Sequence, residues 1–488
     1  MKRTFAALLP VLLATTCIGG CTTVGPDFAA PADPQPQAGY GEDGGERATL
    51  NQGPELAWWT AFGSPELDGL VARAIVGNHS LEASRATLDK ARQRIAAAAG
   101  QQLPQIDASA RAQYEKVNLA AFGFDGLGSG TAIRNPEFDL YTVGGGISYD
   151  LDLFGRNRRA LEQAAAQAEA QQRATEAAHL VIAGRVVAQV IAIAAINDRI
   201  ATERQLLAED ERNVSLTQAR QRAGSGTMVE VLSAQGQLAS DRASLPSLEQ
   251  QVAAGRAMLA TLLGLSPAEL GPTEFTLDQF LLPAQVPVAL PSALVRKRPD
   301  ILEAEARLHA AVAGVGMATA DLYPDVALGA SLTQSTSEPQ RITSSKFNAF
   351  DIFAGMTAPI FHGGTLKANK RGAEAEARAA SASYQQVVVE AFGQVATLLS
   401  AIEADGRELA VRQDASEIAN RSLYLSRRSF QVGNSGILQV LDSSRSYQRA
   451  RLSLLEAKTR QYQNVVRLYV ATAGGWLPET GDVAVARK

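Results

Sequence analysis

The chain of 488 residues contains two cysteines, Cys17 and Cys21, and has no thiol after residue 21. The longer part of the chain therefore cannot form disulfide bonds or cysteine-based metal sites. An excess of basic residues is also missing, since the formal net charge is −4 and the pI is about 5.8. Nucleic-acid binding normally requires a basic face, so we expect no nucleic-acid partner.

Clusters of chemically reactive side chains are also missing. The four histidines lie far apart in the sequence, at His79, His179, His309 and His362. No group of residues with the spacing of a metal site or a catalytic site is evident. We therefore expect no metal, no cofactor and no enzymatic activity.

The N-terminal segment predicts export from the cytoplasm. Lys2 and Arg3 precede an apolar stretch, Phe5–Ala14, that is too short to span a bilayer. Small residues then precede Cys21, a pattern that resembles the lipobox of bacterial lipoproteins. We predict a signal peptide over 1–20 and lipidation of Cys21, with an ordinary secretory signal as the alternative. Residues 21–57, rich in Pro, Gly and Ala, are expected to form a lipidated tether without a core.

The sequence contains one unit twice. Leu103-Pro104-Gln105-Ile106 corresponds to Tyr323-Pro324-Asp325-Val326, and the glycine-containing segment that begins at Gly224 corresponds to the one that begins at Gly433. Because these landmarks recur in the same order, the chain has two internal repeats and a pseudo-symmetric architecture. We assign 58–290 to the first repeat, 291–476 to the second and 477–488 to a C-terminal tail.

Each repeat contains two segments in which apolar and polar residues alternate. They cover about 104–118 and 139–153 in the first repeat, and about 324–334 and 348–361 in the second. Alternation predicts strands, and each segment is long enough to cross a membrane as a tilted strand of about 9–11 residues. Strands of a soluble sheet with one wet face are the alternative.

Each repeat also predicts a pair of long antiparallel helices, over about 156–264 and about 364–473. The punctuation within these segments is confined to tight turns at Gly224 and Gly433 and to Pro246, which should kink its helix. Helices of such length need a packing partner along their whole extent, as in a coiled coil.

Four membrane strands cannot stand alone. Every backbone polar group in lipid must be paired, and bacterial barrels begin at about eight strands. The chain is therefore expected to close its barrel with copies of itself. Two copies would give about eight strands and a filled barrel, and three about twelve and an open pore. This reasoning does not decide between them.

Several motifs resemble the TolC/OprM/NodT family of outer membrane efflux factors. They are Val24-Gly25-Pro26-Asp27-Phe28, Trp58-Trp59, Asp150-Leu151-Asp152-Leu153-Phe154-Gly155-Arg156, Arg298-Pro299-Asp300-Ile301 and Gly474-Gly475-Trp476. The resemblance implies an α+β membrane protein that forms a homotrimer, with a twelve-stranded barrel in the outer membrane and a periplasmic α-barrel. It further implies an exit duct for small molecules such as drugs, connected through a periplasmic adaptor to an inner membrane transporter of the RND class.

The resemblance also assigns candidate sites to the two turns. Gly224, Gly226, Gly433 and Gly436 would form the periplasmic tip and dock the adaptor. Leu438, Asp442 and Arg445 match the family's constriction and gating contacts, and Glu230 is the related acid of the first repeat. Symmetry would repeat the carboxylates as a ring that favours cations, and arginine side chains could pair with them and hold the aperture closed. The alternative is that Asp442 and Arg445 form an i,i+3 pair on a solvated helix face. Phe430 stands where relatives often carry tyrosine, so a hydroxyl latch is not expected there.

Two other functions fit the same patterns. A coiled-coil stalk or adhesin, anchored as a surface lipoprotein, would pack its strands in a soluble sheet. An outlet for type I protein secretion would share the barrel and the helices but carry a different cargo. The lipobox favours the drug-efflux reading over the secretion reading.

Overall fold

The computed structural model of the chain describes residues 23–32, 40, 41, 48–50, 53, 54, 57–118 and 136–472. The chain divides into two compact units. The first comprises Met1–Ala30, Lys90–Glu169 and Ala306–Ala382, and the second comprises Pro31–Asp89, Ala170–Glu305 and Ser383–Lys488. Each unit draws segments from both sequence repeats, so the repeats are not the compact units. Cys17, Cys21 and Gly474-Gly475-Trp476 lie outside the described residues.

The described residues contain six strands in two sheets. A short parallel pair joins β1 to β4, and the four longer strands form an antiparallel sheet in the order β2-β3-β5-β6. The four predicted long strands are thereby confirmed. The strands are β1 (Ala48–Leu50), β2 (Gln105–Lys116), β3 (Glu137–Asp150), β4 (Val286–Val288), β5 (Asp325–Thr336) and β6 (Asn348–Thr357).

β3 and β6 end three and four residues earlier than the alternation predicts, and β2 ends two residues earlier. β3 stops at Asp150, whose carboxylate accepts a hydrogen bond of 2.8 Å from the backbone N–H of Asp152 and so turns the chain. β6 stops at Thr357, two residues before Pro359, which has no N–H for a sheet. The alternation of side chains alone does not reveal where the backbone bonds end.

The register of the large sheet places most of the apolar residues of the four strands on one face. Ile106 of β2 pairs with Ile147 of β3, Ile147 pairs with Ala330 of β5, and Ala330 pairs with Ile352 of β6. Directly opposed residues share a face in an antiparallel sheet. The other face carries polar groups, such as Asp107, Ser148, Ser331 and Asp351. One apolar face and one polar face are typical of a barrel wall between lipid and water.

Nine α-helices occur within the described residues. Two of them, α3 and α8, have 67 residues each, which corresponds to about 100 Å at 1.5 Å per residue. The helices are α1 (Pro65–Gly77), α2 (His79–Gly100), α3 (Arg156–Arg222), α4 (Met228–Arg242), α5 (Leu245–Leu262), α6 (Pro291–Lys297), α7 (Pro299–Ala320), α8 (Thr365–Gln431) and α9 (Ile437–Thr472).

The second long helix of the first repeat is interrupted at Pro246, where the sequence predicts a kink. α4 ends at Arg242 and α5 begins at Leu245, with Pro246 in its first turn. Proline has no N–H to donate, and its ring clashes with the carbonyl group four residues earlier in a helix. It is tolerated in the first turn of a helix, where neither contact is required. Ala243 and Ser244, between the two helices, keep right-handed helical dihedral angles (φ, ψ of −70°, −17° and −76°, −34°), so the interruption has the character of a kink. The second repeat has no proline there, and α9 runs unbroken for 36 residues.

The second unit contains a large apolar core. Fully buried residues of α3, such as Ile191 and Ile193, belong to one cluster with Leu399 and Ile402 of α8. Trp58 is buried in the same cluster and stacks on Tyr469 of α9, with ring centroids 5.3 Å apart. This core holds the long helices together, as their length requires.

α3 and α8 each contain an 18-residue window long and apolar enough to cross a membrane by length and composition alone. Buried core helices pass the same test. The window in α3 is 61% buried within the chain, as a core helix would be, whereas the window in α8 is only 28% buried. α8 therefore leaves apolar surface uncovered in a single chain.

Candidate functional site: the two helix turns and their surroundings

The two glycine turns have the same backbone geometry. At the first turn, the N–H of Gly224 donates to Gln221 O at 3.0 Å and the N–H of Ser225 donates to Arg220 O at 2.9 Å. At the second turn, Gly433 donates to Phe430 O at 3.1 Å and Asn434 donates to Ser429 O at 2.9 Å. Both patterns are Schellman motifs, which require a left-handed residue. Gly224 and Gly433 supply it, with φ of +74° and +82°.

The helices that leave the two turns begin differently. Thr227 and Glu230 form a capping box at the start of α4: Glu230 N–H donates to Thr227 Oγ1 at 3.3 Å, and Thr227 N–H donates to Glu230 Oε2 at 2.8 Å. In the second repeat Gly436 replaces Thr227 and Gln439 replaces Glu230. A glycine has no side chain to cap α9. The Glu230 carboxylate thus has a structural role, which weakens the case for it as a gate residue.

A small apolar cluster lies beside the two turns. Phe430 is buried together with Ile437, Val440 and Leu441, and Ala234 of α4 belongs to the same cluster. The guanidinium of Arg220, at the end of α3, lies over the Phe430 ring, 4.6 Å from its centroid. The phenyl ring at position 430 therefore serves packing and a cation–π contact.

The three gate candidates of α9 have different surroundings. Leu438 is 52% exposed and Asp442 is also exposed, and within the described residues the Asp442 carboxylate makes no hydrogen bond or ion pair. The guanidinium of Arg445 donates through Nε to Gln237 Oε1 of α4. The i,i+3 pair between Asp442 and Arg445 is therefore not formed in this chain, and the structure does not bring the two together.

A buried acidic cluster near these residues was missed by the sequence analysis. Glu203 and Asp210 of α3 are 2% and 3% exposed, and Asp241 of α4 is 8% exposed. Burial raises the pKa of Asp210 to about 7, and a hydrogen bond with Asp241 and the charge of Asp241 act in the same direction. Burial, together with the charge of Asp241, also raises the pKa of Glu203.

A signal for this cluster is present in the sequence. Glu203 and Asp210 are seven residues apart on α3, and Leu206 and Leu207 between them are buried. Positions seven residues apart share one stripe of a long packed helix. Acidic residues on an otherwise apolar stripe indicate a polar layer in the helix packing. The sequence does not reveal which acidic residue of another helix faces this layer.

Residues just after Cys21 are bound to the first unit. Arg159 of α3 is buried and donates to Asp27 Oδ1 at 2.7 Å and to Val24 O at 3.3 Å, while Phe28 stacks on the ring of His309 at 4.3 Å. We call residues 23–28 the strap. The buried cation thus fixes the strap within the first unit.

No group of three or more His, Cys, Asp or Glu side chains positioned to hold a metal ion occurs in the part of the chain that the structure describes. The histidines have other contacts. His309 Nε2 lies 3.0 Å from Glu162 Oε1. His179 is buried beside Arg85. Burial lowers the pKa of His179, and the positive charge of Arg85 lowers it further.

Comparison with known proteins places these features in a family context. The family model for outer membrane efflux proteins matches residues 70–265 and 290–474, which includes both helix turns. The pyoverdine export outer membrane protein OpmQ of Pseudomonas aeruginosa is 30% identical over 427 residues, covering 88% of this chain and 89% of OpmQ. The probable outer membrane lipoprotein SilC of Salmonella typhimurium is 24% identical over 463 residues, covering 94% and 97% of the two chains.

Solved structures show the same fold. The outer-membrane channel OprN superposes with a TM-score of 0.82 at 29% identity, and the match covers 94% of this chain and all of that chain. The similarity therefore extends over the sheet and over the long helices. The expected fold class, an α+β membrane protein of the TolC type, is confirmed.

Proposed function

This chain belongs to the outer membrane efflux protein family, and from that premise we propose that three copies of it enclose the exit duct of a tripartite efflux pump. The chain is an outer membrane channel of an efflux system. The proposal adds the number of subunits, the partners, the aperture and the anchor.

The observation that carries the proposal is the four-stranded sheet with one apolar face and two open edges. β2 and β6 form the edges, and their outer backbone groups have no partner strand within the described residues. Lipid does not tolerate such edges. β2 and β6 also run in opposite directions, because three antiparallel pairings separate them. β6 of one copy can thus continue the antiparallel order by pairing with β2 of the next.

Three copies fit a duct better than two. Two four-stranded sheets give eight strands, a number at which side chains fill the interior, whereas three give twelve and leave space for solute. The uncovered apolar surface of α8 supports the same assembly, since a neighbouring copy would bury it. The polar face of the sheet would line the pore, and no chemical reaction is needed for passage.

We assign the aperture to the two helix turns, with Leu438 as the constriction and Asp442 and Arg445 as its polar contacts. Asp442 is exposed and unpaired within the described part of the chain, so its carboxylate is available to other copies. Under threefold symmetry the carboxylates would form a ring that favours cations. Glu230 contributes negative charge near this ring while it caps α4.

The turns at Gly224, Gly226, Gly433 and Gly436 are proposed to dock a periplasmic adaptor, which connects the duct to an inner membrane transporter of the RND class. A groove of about 470 Å³ near the second turn supports this proposal; Ile418, Arg421 and Leu425 of α8 and Gln439 of α9 are among the residues that line it. The strap supports lipidation of Cys21, because it ties the segment just after this cysteine to the unit that contains the membrane sheet. Small molecules, including drugs, are the proposed substrates.

The test of the assembly is a crosslink between sheet edges. Cysteines at Ala108 of β2 and Ala354 of β6, joined by a bifunctional thiol reagent, should give covalent trimers of the mature protein. The control pair, Val143 and Gln334, lies opposite within one chain and should give crosslinked monomers. Purified trimers should also conduct ions across a planar bilayer. Monomers without conductance, or crosslinked species that end at dimers, would contradict the proposal.

A further inference from the structure

A chain of polar contacts crosses three helices of the second unit. Arg445 of α9 donates through Nε to Gln237 Oε1 of α4, and Gln237 Nε2 donates to Asp241 Oδ2 at 2.7 Å. The carboxyl group of Asp241 in turn lies within hydrogen-bonding reach of the carboxyl group of Asp210 of α3. These contacts connect α9 to α4 and α4 to α3.

The contact between Asp210 and Asp241, the last in this series of contacts, requires a proton. An ionised carboxylate has no hydrogen to donate, so two carboxyl groups bond to each other only if one of them is protonated. Asp241 already accepts from Gln237, and burial raises the pKa of Asp210, so the proton is placed on Asp210. Both groups are buried, which makes a second negative charge at this place costly.

We propose that the proton shared by Asp210 and Asp241 is a latch that holds α4 against α3, and that α4 separates from α3 when the proton is lost. The latch itself is a property of the chain. Its effect on the aperture rests on the proposed function, because α4 begins at the first glycine turn.

The other charged groups around the pair are engaged elsewhere. On α3, Glu203 accepts from Gln448 at 3.3 Å, and the charge of Arg199 acts on Glu203. Glu209 is paired with Arg427 of α8, and Arg242 of α4 is paired with Glu211 at 2.6 Å. Within the described residues, Arg445 is connected to the pair through Gln237 and no cation forms an ion pair with either aspartate. Loss of the proton would thus leave two negative charges side by side with no paired cation, although Gln237 donates to Asp241 and the Asn213 side chain favours the charged form of Asp210.

The latch exists in one repeat only. Positions 210 and 241 correspond to Ala419 and Ala450 in the second repeat, 209 residues later, as Gly224 corresponds to Gly433. At a neighbouring level of the second helix pair, the hydroxyls of Ser426 and Ser443 lie 2.8 Å apart. These neutral groups do not titrate. Any movement driven by the latch would therefore involve α4 and not the start of α9.

The direction of the pH effect follows from the pKa. In the closed latch the pKa of Asp210 is raised from 3.8 to about 7, so closing the latch binds a proton at pH values between these two limits. The closed form is therefore most stable below pH 4 and weakens as the pH rises to about 7. In this range each pH unit changes the ratio of open to closed latch by about tenfold.

The test is hydrogen exchange of the α4 amides in the full-length assembled protein, corrected for the intrinsic pH dependence of exchange. Between pH 5 and 7 the opening of α4 should increase by about a hundredfold. Asp210→Asn keeps the shape, has no charge and can still donate to Asp241, so it should remove the pH dependence and keep α4 protected. Asp414→Asn changes an exposed acid of α8 by the same charge and should behave like the original protein.

Infrared spectroscopy gives a second readout that needs no variant. The band of a protonated carboxylic acid should disappear as the pH rises through about 7. The proposal is overturned if this band is missing at pH 5, if α4 opening does not depend on pH, or if Asp210→Asn keeps the same pH dependence. Conductance in a planar bilayer separates the two levels: a pH-dependent α4 in a protein that does not conduct would preserve the latch and reject the duct.

Discussion

Gly433 shows how much one backbone angle matters at the turns. It adopts φ of +82°, a backbone conformation that residues other than glycine rarely adopt, and no atom of the described residues would contact a Cβ added there. A substitution there is strained by the backbone and not by a clash. The turn residue therefore specifies the path of the chain from α8 to α9.

Gly433→Ala should lower the free energy of unfolding by about 1 kcal/mol, because a left-handed conformation costs an L-residue roughly 1–2 kcal/mol. Gly433→Asn is the matched variant and should cost less, since asparagine tolerates this conformation. The thermal midpoint of the purified channel measures both. Equal midpoints for the two variants would show that the left-handed residue is not the limiting feature.

A second prediction at the scale of single residues concerns Arg159 and its contacts with the strap. Its buried guanidinium donates to Asp27 and to the backbone of Val24. Arg159→Ala removes these bonds and should increase the rate of proteolytic cleavage within residues 23–32 several-fold. Arg156→Ala is the control, because that side chain is exposed and pairs with Asp321 instead. An unchanged cleavage rate in Arg159→Ala would show that other contacts hold the strap.

At the scale of elements, α4 and α9 begin with different caps although they occupy equivalent places in the two repeats. Thr227→Ala should destabilise the first turn of α4 by about 1 kcal/mol through loss of the capping box. Gly436→Thr should restore a box with Gln439 and stabilise α9 by a few tenths of a kcal/mol. Hydrogen exchange of the first turns checks both. If the two substitutions shifted the protection of the first turns in the same direction, the difference between the two caps would not explain the stability of the helix starts.

The elements also show what the sequence could predict. Period-two alternation identified all four long strands because each strand has one apolar face. Pro246 predicts the interruption between α4 and α5, since proline lacks the backbone donor that a helix interior needs. The Asp210–Asp241 contact was not predictable, because it depends on the rotation of α4 against α3. Local pattern thus specifies elements, whereas the register between helices comes from packing.

At the scale of the whole molecule, two adjacent residues of one strand face different solvents. Ile352 belongs to the apolar face of the sheet and is 80% exposed in a single chain. Asp351 lies on the other face and accepts a hydrogen bond from Ser331. If the sheet is a segment of a membrane barrel, Ile352 contacts lipid and Asp351 contacts the water of the pore.

Ile352→Lys should therefore prevent or strongly reduce assembly in the outer membrane, because lysine on the lipid face costs about 2–4 kcal/mol per chain near the bilayer midplane. Closure by three copies would incur this cost three times. Asp351→Lys should assemble and instead change the ion selectivity of the pore, since it replaces a negative charge by a positive one in the lumen. The yield of heat-modifiable trimer and the selectivity in planar bilayers measure the two effects. If both variants assembled equally well, the apolar face of the sheet would not be a lipid surface, and the packed sheet of a stalk would become the better explanation.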